Sequence, residues 1–234
     1  MRYYLKKWSN WLSHCILCLG NVTGAYTLCK PCEQGLPKLC AYCIRCSTPL
    51  AMLATCGTCL RSPPPFHRVH ALYHYESPLV PLLLQLKFHQ KLNHAPLFGA
   101  LLVEQVKNQW YCNKPLPTLL IPVPLHVDRL KERGFNQALE IARPIAAHLQ
   151  LPLSVNRVQR IKPTVAQTTL APQERMTNMR NAFKVTKTLK HRHIAIIDDV
   201  MTTGNTIISL CKTLKKAGAT TIDVWCVARA GIMT

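Results

Sequence analysis

Four Cys-x2-Cys pairs crowd the first quarter of the chain: Cys15/Cys18, Cys29/Cys32, Cys43/Cys46 and Cys56/Cys59, separated by 10, 10 and 9 residues. A Cys-x2-Cys turn puts two sulfurs on one side of a tight knuckle, and two knuckles complete a tetrahedral S4 site for Zn2+. Four pairs therefore predict two Zn2+ per chain, with all eight cysteines as ligands. Spacing leaves open which knuckles share a metal. It also leaves open whether Cys40 replaces Cys46, because Cys40/Cys43 has the same spacing. A disulfide framework would require export, and Ser9, Asn10, Ser13 and His14 interrupt any signal-peptide core. A redox role for one pair does not account for four near-evenly spaced repeats. Cys112, Cys211 and Cys226 read as ordinary core or partly buried thiols.

A segment this short, with few large apolar residues, cannot fold on burial alone, so metal binding is expected to supply its folding free energy. Pro63-Pro64-Pro65 cannot be helix interior and reads as a stiff linker. The expected division is 1–62, an N-terminal segment with a double zinc ribbon, and 63–234, a second domain. From Phe66 the pattern alternates. Strands are predicted over 69–75, 118–123, 193–197 and 221–228. Helices are predicted from Ser77, as cap, to Phe88, and over 97–108, 136–149 and 205–217. Pro144 is expected to kink or shorten the third helix, and Gly218 to end the fourth. The fold class is α/β: a mostly parallel sheet flanked by helices, with ligands bound beyond the carboxyl ends of the strands.

The chain carries 29 Lys and Arg against 10 Asp and Glu, a formal +19. Each zinc tetrathiolate contributes −2, which lowers the total to about +15. That excess points to a polyanionic partner or anionic lipid. Nine basic residues and one acid, Glu174, lie between Arg157 and Arg192. This stretch reads as a mobile flap, a polyanion track or both, with Lys184, Lys187 and Lys190 as DNA-contact candidates and Phe183 its one aromatic. No stretch reaches 18 apolar residues, so no membrane span is expected and the protein is read as cytoplasmic. Leu5, Trp8 and Leu12 beside Lys6 and Lys7 allow weak contact with a membrane surface.

The most specific motif runs from Ile194 to Thr206: four apolar residues, Asp198-Asp199, then Val200-Met201-Thr202-Thr203-Gly204-Asn205-Thr206. A buried strand, two acids, a small-residue loop and a helix start are the parts of a phosphate cradle, the acids suiting sugar hydroxyls or a metal on the same ligand. The bland alternative is a plain strand–loop–helix with Asp199 and Thr203 capping the turn. The stretch resembles the phosphoribosyl pyrophosphate (PRPP) signature of type I phosphoribosyltransferases. That resemblance implies that Asp198 and Asp199 bind the ribose hydroxyls. It implies that Thr202, Thr203, Gly204, Asn205 and Thr206 hold the 5′-phosphate, with Mg2+ on the ligand.

Ile121-Pro122-Val123-Pro124, Arg129, Lys131, Arg133-Gly134-Phe135-Asn136-Gln137, and the stretch 167–183 resemble the ComF/GntX family, as do the four cysteine pairs. The resemblance covers nearly the whole chain except Cys40 and the segment 2–11. It implies that Arg129 and Arg133 form the pyrophosphate loop, to which bidentate guanidinium contacts are suited. It also implies a role in natural transformation, handling single-stranded DNA with partners in the uptake machinery. Enzymes salvaging 6-oxopurines carry an Asp where this chain has Thr202, which argues against hypoxanthine or guanine as acceptor. The competing reading is a small-molecule phosphoribosyltransferase whose zinc module is purely structural.

Overall fold

In the computed structural model, which describes residues 13–22, 27–162 and 181–231, the chain divides by packing after Leu36. The smaller unit holds two short antiparallel strands, β1 (Ser13–His14) and β2 (Asn21–Val22), on either side of the first knuckle. A short helix, α1 (Lys30–Gln34), follows Cys29, with Pro31 pre-setting its first turn. Its described buried apolar residues are few: Cys15, Val22, Leu28 and Leu36.

The larger unit begins with the second pair of knuckles, the last of which opens a short helix, α2 (Gly57–Arg61). Packing thus separates the chain upstream of the proline triplet and keeps Cys43–Cys59 with the sheet. After Phe66, which is buried, come β3 (Arg68–His74), α3 (Leu79–Phe88) and α4 (His94–Gln105). The last of these continues as a π-helical turn, Val106–Trp110. Then come β4 (Leu119–Pro122), α5 (Val127–Arg133), α6 (Gln137–Leu149), β5 (Val158–Arg160) and β6 (Phe183–Val185). The chain closes with β7 (His193–Met201), α7 (Asn205–Lys216) and β8 (Thr221–Arg229).

The sheet is four-stranded and parallel, in the order β3-β8-β7-β4. Strands β7 and β8 are central, and their near-continuous apolar runs match a sheet covered on both faces. Helices α4 and α6 approach so closely that a Cβ on Gly99 would lie 2.3 Å from Cγ of Pro144. Pro144 sits inside α6, and the helix runs on to Leu149 rather than stopping there. At the amino-terminal end of the strands Asp223 is buried. It accepts from Tyr111 Oη at 2.6 Å and contacts His193 Nε2 at 2.7 Å and His67 Nδ1 at 3.0 Å.

One local expectation fails. Ser77 does not cap α3: Pro78 occupies the cap position and no side chain bonds the first turn. Among the elements not anticipated are α5 and the antiparallel pair β5–β6, with Val158 opposite Val185. Among the described residues no helix is long and apolar enough to cross a membrane.

Candidate functional site

Strand β7 delivers Asp198 and Asp199 near its carboxyl end, where open α/β sheets bind ligands. The Asp198 carboxyl is held well above its ordinary range, first by burial and then by the neighbouring Asp199 carboxylate. Its Oδ1 accepts from the Asp199 backbone N–H at 3.0 Å. Gly204 then turns the chain into α7 with φ +80°, the left-handed region that favours glycine, and a Cβ there would meet Cε of Met201 at 2.6 Å. No side chain caps α7, so its first-turn N–H groups are left to solvent or an anion. Thr202 and Thr203 are exposed, and Asn205 and Thr206 half-buried, at the mouth of this turn.

Three cations feel the field of the acid pair, and one of them touches it. Lys87, in the last turn of α3, places Nζ 2.8 Å from Oδ2 of the buried Asp199. Burial alone would lower its ammonium, but Asp199 and then Asp198 outweigh burial and raise it above its ordinary value. Arg133, at the end of α5, donates to Gln137 Oε1 at 2.6 Å and lies over the Phe88 ring at 5.5 Å. Burial lowers its guanidinium, and the field of Asp199 partly restores it. Arg160, on β5, lies over the Phe183 ring at 5.8 Å. Burial lowers it as well, against the attraction of Asp198.

Gly134, with φ +79°, ends α5, and Asn136 caps α6: its Oδ1 accepts from the N–H groups of Ala138 and Leu139 at 3.0 and 3.4 Å. Its Nδ2 donates to the Val123 carbonyl at 3.0 Å, which fastens the arginine loop to the end of β4. Arg129 lies more toward solvent and pairs with Glu132 at 3.3 Å.

The structure therefore brings Asp198, Asp199, the threonine turn and Arg133 together, and adds Lys87 and Arg160. Lys87 was missed because one lysine in a helix among Gln85, His89 and Lys91 has no local signature. Arg160 was read as part of a basic track, yet it lies within the field of Asp198. Lys184, Lys187 and Lys190 are exposed on and after β6 and make no ion pair among the described residues. Glu174, Arg175 and the aromatic amino-terminal segment with Trp8 and Trp11 lie outside the described residues.

The cysteines form two groups of four, Cys15/Cys18/Cys29/Cys32 and Cys43/Cys46/Cys56/Cys59, with the sulfurs of each group within 4.8 Å of one another. Cys18 and Cys29 Sγ are 3.6 Å apart, and Cys46 and Cys56 Sγ 3.7 Å. A tetrahedron with Zn–S bonds of about 2.3 Å has edges of about 3.8 Å, so the donor sets fit Zn2+. The same distances are far beyond a disulfide bond. Each group mixes one acidified thiol with raised ones. Cys15 and Cys43 come down to about 6 because backbone N–H donors outweigh burial, while Cys32 is pushed up to about 12 by its sulfur neighbours. A cation at the centre relieves that crowding of thiolates. Cys40 stands outside both groups, exposed, with Sγ 3.6 Å from the Lys38 carbonyl, which settles its competition with Cys46.

A model of the phosphoribosyl transferase domain matches residues 136–233. The DNA utilization protein YhgH of Shigella flexneri is 33% identical over 221 residues, 94% of this chain and 96% of that protein. Competence protein F of Haemophilus influenzae is 34% identical over 222 residues, 92% and 96% of the two chains. A shorter similarity, 45% over 42 residues, links 18% of the chain to a hypoxanthine/guanine phosphoribosyltransferase of Methanococcus voltae.

Proposed function

The chain belongs to the ComF/GntX family of competence-related proteins with a phosphoribosyltransferase domain, and on that premise we propose that it binds PRPP and handles incoming single-stranded DNA in the cytoplasm. One observation carries the PRPP part. An acid pair, Asp199 buried and Asp198 half-buried, lies directly before an uncapped helix start that opens on a glycine at positive φ; Lys87 pairs with Asp199, and Arg133 and Arg160 lie in the field of the two acids. In this reading Asp198 and Asp199 accept from the ribose hydroxyls. The turn Thr202–Thr206 takes the 5′-phosphate, and Arg133 and Arg129 take the pyrophosphate. Lys87 leaves Asp199 when the ribose arrives and turns to the pyrophosphate. Mg2+, carried on the ligand, would neutralise part of its charge.

The DNA part is supported by the formal +19 charge, by Lys184, Lys187 and Lys190, which make no ion pair among the described residues, and by the names of the two full-length relatives. The two cysteine groups are read as holding one Zn2+ each.

The similarity to a hypoxanthine/guanine phosphoribosyltransferase favours a second reading, transfer of phosphoribose from PRPP to a small nitrogen acceptor. In that case attack on C1 from the face opposite the pyrophosphate is assisted by positioning and charge, with no covalent protein intermediate. Single-stranded DNA binding at two salt concentrations, with and without PRPP and Mg2+, separates the two. The DNA reading expects binding that falls steeply with salt and that PRPP alters. No binding at low salt, together with pyrophosphate release in the presence of a free base, supports the transferase reading instead.

A further inference from the structure

Arg229, the last residue of β8, is buried, and among the described residues no carboxylate lies within ion-pair distance of it. A buried guanidinium needs both hydrogen-bond partners and a compensating charge. Its partners come from two directions. On one side Nε donates to the Cys46 carbonyl at 3.0 Å and Nη2 to Thr48 Oγ1 at 2.8 Å. That same hydroxyl lies 3.1 Å from Cys46 Sγ, one of the four sulfurs of the second group. On the other side Nη1 faces the carbonyls of Met201, at 2.9 Å, Thr202, and Ala230, at 2.8 Å. Met201 and Thr202 begin the turn that closes on Gly204.

Beside these bonds a cavity of about 350 Å³ lies between the knuckle and the turn, lined by Cys46, Thr58, Met201 and Thr203 among others, with Arg229 in its wall. Among the described residues no other hydrogen bond joins Cys43–Cys59 to Met201–Thr206. The guanidinium is the polar link across the gap. A metal held by four thiolates carries a net charge of −2, and the second group lies one hydroxyl away from this cation. Loading that group therefore supplies the counter-charge that the buried cation lacks, and it fixes Cys46 and Thr48, against which two of the fork's three arms are aligned.

We propose that Arg229 is a positioning residue that couples metal loading of the Cys43/Cys46/Cys56/Cys59 group to the order of the Met201–Thr206 turn, and so to the affinity for PRPP. The PRPP part rests on the function proposed above. The coupling itself does not. With the metal in place the turn carbonyls are held and the first N–H groups of α7 are aimed. Without it the compensating charge is weaker, Cys46 and Thr48 are less firmly held, and the turn loosens.

Two variants test this on the full chain with zinc in excess. Thr48→Val removes the hydroxyl that relays Cys46 Sγ to Nη2. Arg229→Lys keeps the charge and loses the fork. The measurements are zinc per chain, hydrogen exchange of peptides spanning 201–206 and 207–216, and the Kd for PRPP with Mg2+. Both variants are expected to keep the metal and the protection of 207–216. Exchange at 201–206 should quicken about tenfold, and PRPP should bind about tenfold more weakly. A Thr48→Val chain matching the wild type at 201–206 overturns the coupling, whatever Arg229→Lys does. A wild-type chain that binds no PRPP removes the ligand reading, and the exchange comparison still decides the coupling.

Discussion

The two cysteine groups share a ligand set and nearly the same knuckle spacing, yet they sit in different physical settings. In the first, Cys18 is exposed, Cys29 and Cys32 are half-buried, and a handful of apolar residues surround them. In the second, Cys43, Cys46 and Cys59 are buried in the same apolar cluster as Phe66, Val69, Met201 and Ile207. Its backbone is stitched to the sheet as well: Ser47 Oγ donates to the Val69 carbonyl at 2.7 Å, and the Val69 N–H donates to the Arg45 carbonyl at 2.8 Å. The same donor set, loaded with zinc as proposed above, would thus serve once as the main source of folding energy for a small unit and once as a corner of a hydrophobic core. Ligand spacing alone does not tell these roles apart.

Cysteine variants put the largest strain on this contrast. Cys29→Ser and Cys56→Ser should each lose one zinc per chain, read by metal analysis of the purified protein. Cys56→Ser should also lower the stability of the sheet-containing unit by several kcal/mol, while Cys29→Ser leaves that unit's thermal transition where it was. Equal losses from the two variants would erase the distinction.

Next in size is Asp223. It is buried, and although burial opposes ionisation, its bonds to Tyr111, His193 and His67 hold the carboxyl below its ordinary value. A depressed pKa gives stability that is complete above the unfolded value and fades as pH falls through the folded one. Asp223→Asn should cost about 2 kcal/mol near neutral pH, with the gap closing in strong acid, read by denaturant unfolding across pH. Gly99→Ala tests the packing of α4 on Pro144 and should cost about 2 kcal/mol, again without loss of the first metal. The smallest effect on stability is expected from replacing Lys184, Lys187 and Lys190 by Ala together. Unfolding should barely change, while the salt slope of single-stranded DNA binding falls by about 2. An unchanged slope moves the DNA contact elsewhere on the chain.

Much of the larger unit was legible because its signals are local. The apolar runs at 119–122 and 194–197, Asn136 ahead of an amphipathic stretch, and Gly218 after the last helix each state their role within a few residues. The acid pair and the glycine turn were legible for the same reason. What stayed hidden depends on distant partners. Lys87 gains meaning only when α3 brings it to Asp199, 112 residues further on. Arg229 ends an apolar strand and looks like a solvent-facing terminus until the knuckle at Cys46 closes over it. Ser77 carries the usual capping signal, but the turn at Pro78 puts another residue in that position. The membership of Cys43–Cys59 in the sheet's core was invisible for the same reason, since composition marks a change at the proline triplet and packing does not.

The central claim is that the acid pair and the glycine turn form a PRPP site. Calorimetric titration of the zinc-loaded chain with PRPP and Mg2+, against the Asp198→Asn/Asp199→Asn double variant, tests it most directly. The account expects saturable binding at one site per chain in the wild type and none in a variant that keeps its zinc content and its thermal transition. Equal binding by both proteins would contradict it.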